Sequence, residues 1–509
     1  MKNIYILFFF LIASSVFSQM NPQSKKITAK FFPENETILK TTPALQKKRG
    51  YTDYKELLAF LNNLVVKHPE KIKLSFIGES QKGRKIPMVR LTNPTKKEKI
   101  KVWMQGGLHG NEFASTEGML YLLDRLLNDA AYATVLDEVD LALVPMANID
   151  GYLKGDRYSA NGLDLNRDQT KLMAPESSVL KQAFTNFNPE VGVDFHEYTP
   201  YRRDYAKFGD FGVTALYDAM FLYTGNLNVP ENLRHITDTV FVENARKVLD
   251  ENNLRHHTYV STKKISGEVH FNHGSISARS SATNYALTNT ISTLIEVRGV
   301  GLGKTSFKRR IHVTFSIAIS YLKTASKNRE FILSEIKKAS QQKNDVVVTS
   351  DRSVYPSKIE VIDLDANKII ELDVTLRDAL KSKPRTIRKR PSAYLIDADQ
   401  KELIVKLKIL GAEVEELLED TEINVESFLV KEYHRNKKKY EKMNQQIVST
   451  ELIEEKKIFK KGTFKISMNQ RRSNIIVELL EPEASNSFVS FGVLETRKGA
   501  VLPIYRILN

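Results

Sequence analysis

The sequence predicts an α/β fold built on a mixed, mostly parallel sheet with helices on both faces, followed by a strand-rich C-terminal region. Three observations carry this. Apolar strand-like runs alternate with amphipathic helical runs from about residue 51 to 340. Several of the strand runs, "VDLALVPMAN" (139–148), "VGVDFHEY" (191–198) and "STLIEV" (292–297), are apolar enough to be buried on both sides. Beyond about residue 345 the texture changes to short β-like runs.

Residues 1–20, "MKNIYILFFFLIASSVFSQM", carry Lys2, an apolar run from Ile4 to Ala13 and small residues at Ser14, Ser15 and Ser18. That is the layout of a cleavable secretory signal over 1–18, and the apolar run is short for a membrane span. An uncleaved anchor is the competing reading. The expected location is secreted or periplasmic, with no stable membrane insertion after cleavage. Residues 19–50 are polar and lack periodicity, so they read as a loosely packed N-terminal leader.

From Tyr51 the pattern sharpens into an expected catalytic domain over 51–340. Leu57, Leu58, Leu61, Leu64 and Val65 fall at helical spacing before Pro69. Strands are expected at 72–78 and 85–92, and "KIKVWMQGG" forms a third that ends in glycines. A helical stripe follows at Met119, Leu122, Leu123, Leu126 and Leu127, and His312–Ala339 should give one or two closing helices. Residues 345–509 read as a separate accessory region of one or two small domains, with strands expected at "KIEVIDL", "IIELDVTL", "SAYLIDA", "NVESFLV", "STELIEE", "GTFKISM" and "NIIVELL".

The chain has no cysteine, which excludes disulfides, thiolate metal sites and a cysteine nucleophile. Its net charge of +15 invites a nucleic-acid or anionic-surface reading. The secretory signal argues against nucleic acid. Two basic concentrations stand out: "KSKPRTIRKR" (381–390) is expected to be a linker or loop, and "KEYHRNKKKYEK" (431–442) a solvated helix face.

Chemistry concentrates at strand ends. His109 and Glu112 lie in "GGLHGNE", a glycine turn between a strand and a helix, and imidazole nitrogen with carboxylate oxygen is a zinc donor set. A third donor is needed, and His196 at the end of another apolar strand is the best candidate. "RHH" (255–257) is the competing source. Glu296, on yet another buried strand, could take a proton from a metal-bound water. Its bland reading is an ion pair with Arg298, and Glu197 is the rival base, although alternation turns it to the opposite face. Between the ligands, "GDRYSANGLDLNRD" (155–168) carries two arginines suited to carboxylate or carbonyl oxygens.

In order and spacing, "GGLHGNE", "RYSANGLDLNRD", "VDFHEY" and "TLIEVRG" resemble the zinc metallocarboxypeptidase family related to carboxypeptidases A and B, over roughly residues 50–325. The tail is similar to the accessory region of large secreted bacterial members. The resemblance implies zinc on His109, Glu112 and His196, Glu296 as general base, and Arg157 on the scissile carbonyl. It also implies that Asn166 and Arg167 clamp a substrate's terminal carboxylate, and that a tyrosine closes over the substrate; Tyr285 is the best match. Asn111 stands where digestive members carry an arginine. The implied partners are peptide or protein C-termini. Competing functions are a zinc amidohydrolase or deacylase, a cell-wall peptide hydrolase, and an inactive surface-binding homologue.

Overall fold

Residues 23–95 and 98–508 are described in a computed structural model; the expected signal peptide lies outside the described residues. The first half of the chain contributes β1 (Ile72–Glu79), β2 (Lys85–Leu91), β3 (Ile100–Gly106), β4 (Val139–Val144), β5 (Val191–Tyr198), β6 (Val213–Ala215), β7 (Ala219–Leu222), β8 (His256–Thr258), β9 (Val260–Ile265), β10 (Glu268–His273) and β11 (Ile291–Arg298). Eight of these form the central sheet in the order β1-β2-β4-β3-β5-β11-β7-β8. Its middle, β4-β3-β5-β11, is parallel throughout, and antiparallel pairings flank it.

Helices cover both faces. Trp103 of β3 meets Phe184 of the helix Pro175–Phe187 edge-on, with centroids 5.6 Å apart. Gly106, on the opposite face of the same strand, lies against Ser115 and Met119 of the helix Phe113–Asn128. The helix Tyr54–Lys67 begins at a capping box formed by Asp53 and Glu56 and buries Leu57, Leu61 and Leu64. The closing segment is two helices, Phe307–Lys327 and Arg329–Ser340.

Residues 23–50 are not loosely packed. The helix Lys25–Phe31 buries Ile27 and Phe31, and Glu34 accepts the backbone N–H groups of Phe307 and Lys308 at the start of the closing helix. Further along, Glu117 accepts the hydroxyls of Thr42 and Thr52 and the backbone N–H of Ala44 at 2.5, 2.6 and 2.9 Å. The leader lacked periodicity because buried polar contacts as well as an apolar face hold it.

The second half contributes β12 (Val346–Asp363), β13 (Lys368–Arg388), β14 (Ala393–Ile396), β15 (Glu415–Glu416), β16 (Thr421–Arg435), β17 (Gln446–Phe459), β18 (Phe464–Ser467) and β19 (Val501–Ile507). The hairpin β12–β13 joins a five-stranded sheet, β6-β12-β13-β10-β9, so pairing crosses the expected boundary near residue 345. The remaining strands form a six-stranded sheet, β15-β18-β14-β19-β16-β17.

Three local expectations are corrected. "KSKPRTIRKR" runs through the end of β13, not a loop; Pro384 sits beside a register irregularity, the kind of position in a sheet that tolerates a residue without an N–H. "KEYHRNKKKYEK" is the end of β16 and the turn after it, paired with β17 as far as Arg435, rather than a helix face. "NIIVELL" is the helix Ser473–Leu480, buried at every position, so no periodicity marked it as one.

Candidate functional site

The turn after β3 is built for close approach. Gly107 has φ +65°, and a Cβ there would lie 2.6 Å from Thr116 Oγ1. At Gly110 a Cβ would lie 2.1 Å from the backbone carbon of Gly151. Only glycine lets this turn press against the loop from β4, and the turn delivers His109 and Glu112 together.

Glu112 occupies the N-cap position of the helix Phe113–Asn128 but makes no capping bond with its side chain. Its carboxylate instead meets the imidazoles: Oε1 is 2.6 Å from His109 Nδ1 and Oε2 is 2.8 Å from His196 Nδ1. The two Nδ1 atoms are 3.0 Å apart. All three side chains are buried, and their donor atoms lie within 4.8 Å of one another. Two ligands on one tetrahedral zinc, with bonds of about 2.0–2.1 Å, stand roughly 3.3 Å apart, so the donor set fits that ion.

Each imidazole is oriented from behind. His109 Nε2 lies 3.0 Å from Asp164 Oδ1, and His196 Nε2 lies 2.9 Å from Asp194 Oδ2. A carboxylate on Nε2 fixes the proton there and turns the Nδ1 lone pair inward, the usual support of a metal-binding histidine. Sequence reasoning missed both aspartates. Asp194 was findable, since it stands two residues before His196 on one strand and therefore on the same face.

Glu296 is the register partner of His196 across β11 and β5. It is half-buried, and burial together with the charge on Glu112 pushes its carboxyl up to about 7. Burial also raises Glu112, but the two imidazoles outweigh it and hold that carboxyl well below the usual range. Glu197 points to the other face, accepts from Arg310 Nε and Ala114 N at 2.7 and 2.8 Å, and so caps the helix that Glu112 begins. Arg298 is engaged with Gln23 and Ala215 O. His256 and His257 bond Asp250 and the Thr258 carbonyl and belong to no metal-binding group among the described residues.

Arg157 donates twice to Asp164 Oδ2, at 3.1 and 2.9 Å, and its Nη1 is 3.7 Å from Glu112 Oε1. Burial would depress this guanidinium, but Asp164 and Glu112 raise it above its ordinary value. Asn166 accepts the Ser281 N–H at 2.8 Å. Arg167 donates to the Asn166 carbonyl. His109, Arg157, Asn166, Arg167 and Glu296 all line one cavity of about 520 Å³.

Tyr285 does not reach it. Its ring is 2% exposed, stacks on Phe184 at 4.0 Å, and its hydroxyl lies 3.0 Å from Gln105 Oε1. The short helix Ser281–Ala286 carries it beneath β5, where Gly192 makes room for the ring. Tyr259 lines the cavity instead.

A strand-end cleft that gathers two imidazoles, two carboxylates and several guanidiniums is the architecture of a metal-dependent peptide hydrolase. The zinc carboxypeptidase family model matches residues 57–307. Carboxypeptidase 2 of Trichophyton rubrum is 28% identical over 442 residues, spanning 84% of this chain and 81% of that protein. Carboxypeptidase B of Astacus astacus is 29% identical over 104 residues, 20% of this chain and 34% of that one. Among solved structures, carboxypeptidase A from Helicoverpa armigera aligns with a TM-score of 0.43 and 19% identity over 56% of this chain and 78% of that one. The chain belongs to the zinc carboxypeptidase family, and as a zinc metallocarboxypeptidase it hydrolyses peptides in a metal-dependent reaction.

Proposed function

We propose that the protein removes the last residue of peptides or proteins, with His109, Glu112 and His196 holding zinc and Glu296 as general base. Zinc, when bound, supplies a Lewis acid that lowers the pKa of a water molecule. Glu296 takes a proton from that water at its carboxylate and passes it to the departing amine nitrogen. Burial beside Glu112 supports the role, because it raises this carboxyl towards the range in which a group both accepts and returns a proton. Arg157, steadied by Asp164, stabilises the negative charge that grows on the carbonyl oxygen.

The observation that carries the exopeptidase reading is the pair Asn166–Arg167 on the cavity wall. The Asn166 oxygen is taken by Ser281, which leaves its amide NH2 for a ligand, and Arg167 forms no ion pair among the described residues. An amide donor beside a free guanidinium suits a terminal carboxylate.

The test compares peptides ending in a free carboxylate with the same peptides amidated, before and after chelation. The free acid alone should be trimmed, chelator should stop it, and Arg167→Ala should erase the discrimination. Equal cleavage of the amides by the parent protein would replace this reading with endopeptidase or deacylase activity. Segment 1–18 has the layout of a secretory signal, which supports peptides outside the cytoplasm as substrates.

A further inference from the structure

The cavity holds more positive charge than a single terminal carboxylate requires. Arg202, Arg279 and Arg352 line it together with Arg157 and Arg167. Its carboxylates are few: Glu197 is bound by Arg310, and Glu296 stands beside His196. Arg157 is paired with Asp164, but Arg167, Arg202, Arg279 and Arg352 form no ion pair among the described residues.

These guanidiniums are held in place nonetheless. Arg202 Nε donates to Thr262 Oγ1 at 2.8 Å, and that hydroxyl in turn donates to Asp204, so one edge of the guanidinium is anchored and the other is free. Arg279 lies over the ring of Tyr440, 4.7 Å from its centroid, and its buried Nη1 has no hydrogen-bond partner. Arg352 makes one long bond, Nη1 to the Arg377 carbonyl at 3.4 Å.

Arg352 comes from the second half of the chain, and a backbone irregularity aims it. Along the β12–β13 pair Asp351 faces Lys383 but Ser353 faces Asp378, so Arg352 lies opposite a bulge in β13. The bulge is seated on the catalytic part: a Cβ at Gly225 would lie 1.9 Å from Ala379 O, and one at Gly274 would lie 2.9 Å from the Leu380 side chain. Bulges beside active sites commonly redirect a side chain. Next to Arg352 the sheet runs from Arg377 to Asn272 to Ser261, one residue from Thr262, which anchors Arg202. Arg352, Asn272, Ser261 and Arg202 thus occupy one wall of the cavity.

Resting on the carboxypeptidase reading above, we propose that this wall selects peptides whose last residue is acidic, with Arg202 and Arg352 receiving the side-chain carboxylate while Asn166 and Arg167 receive the terminal one. Confined guanidiniums repel one another, and a second carboxylate on the ligand relieves that repulsion and forms charge-assisted hydrogen bonds. A neutral or basic residue would leave the charges uncompensated. Burial and neighbouring Arg377 depress Arg352 below its ordinary value and outweigh the attraction of Asp378.

The experiment uses the zinc-loaded full chain and peptides that differ only in the last residue: Glu, Asp, Gln, Leu and Lys. Glu or Asp should exceed Gln in kcat/KM by about tenfold or more, the discrimination expected of a charged hydrogen bond left unmade. Arg352→Gln and Arg202→Gln should each reduce the Glu-to-Gln ratio, chiefly through KM, and Arg352→Lys should restore part of it. Binding of the Glu and Gln peptides to the Glu296→Gln protein should show the same ratio without turnover. Faster release of Gln, Leu or Lys than of Glu and Asp, or a ratio that neither glutamine substitution moves, would overturn the proposal and leave the carboxypeptidase reading standing. Release of none of the five would remove that reading itself.

Discussion

Glu296 and His196 face each other as register partners on adjacent parallel strands, with Asp194 directly behind the imidazole. A proposed base and a proposed metal ligand are therefore fixed by the same ladder of backbone hydrogen bonds. Their separation does not depend on a loop. Binding and proton transfer can consequently be separated by substitution.

Glu296→Gln keeps the shape of the side chain and removes only its basicity. Turnover should fall by about 10² to 10⁴. Zinc stoichiometry and peptide affinity should stay close to those of the parent, measured by elemental analysis and by calorimetry with an uncleaved peptide. Near-parental turnover would reassign the base.

The acid side of the pH profile should report the same group. Burial and Glu112 raise Glu296 from 4.5 to about 7, and a bound cation would draw it back down. A general base works deprotonated, so kcat/KM should fall as pH decreases, with a midpoint between 4.5 and about 7. A profile that stays flat down to 4.5 would contradict the assignment.

Asp194→Asn leaves a side chain of the same size but without the charge that orients His196. Zinc affinity should weaken by about 10- to 100-fold, read by competition with a chelator, while the fold persists by circular dichroism. Unchanged affinity would mean that the strand alone orients the ring.

Glu117→Ala should loosen the N-terminal leader. It strips the acceptor from the buried hydroxyls of Thr42 and Thr52 and leaves the Ala44 N–H with Thr52 Oγ1 alone, at an expected cost of about 1–3 kcal/mol. Urea unfolding measures the loss, and limited proteolysis should show new cleavage between residues 33 and 50. A protease-resistant leader in this variant would show that the apolar contacts of Ile27 and Phe31 suffice.

Stability should also decline in mild acid through His257. Its ring stacks on Tyr217, with centroids 4.6 Å apart, and burial lowers it from 6.5 to about 4. The unfolded chain then binds the extra proton between those two values, so this group favours folding fully above 6.5 and progressively less as pH falls to 4. Thermal melts from pH 7 to 4 should show the decline, and His257→Gln should flatten part of it. An identical slope in the variant would place the acid sensitivity elsewhere.

By itself the sequence determined the alternating α/β order, the placing of His109 and Glu112 together in their glycine turn, and the strand-end positions of His196 and Glu296. These are legible because hydrophobic periodicity, glycine turns and donor chemistry are local properties of the chain. Tertiary structure decided what depends on pairing between distant segments. It sent Tyr285 into the core under β5 and put Tyr259 in the cavity. It paired the start of "KEYHRNKKKYEK", as far as Arg435, with β17 and merged the hairpin β12–β13 with β10, which carries Arg352 to the cleft. No residue near Arg352 in the chain marks it as part of a site. Its position is set by which strands lie side by side, and that choice minimises unpaired backbone and exposed apolar surface over the whole molecule rather than over any one stretch.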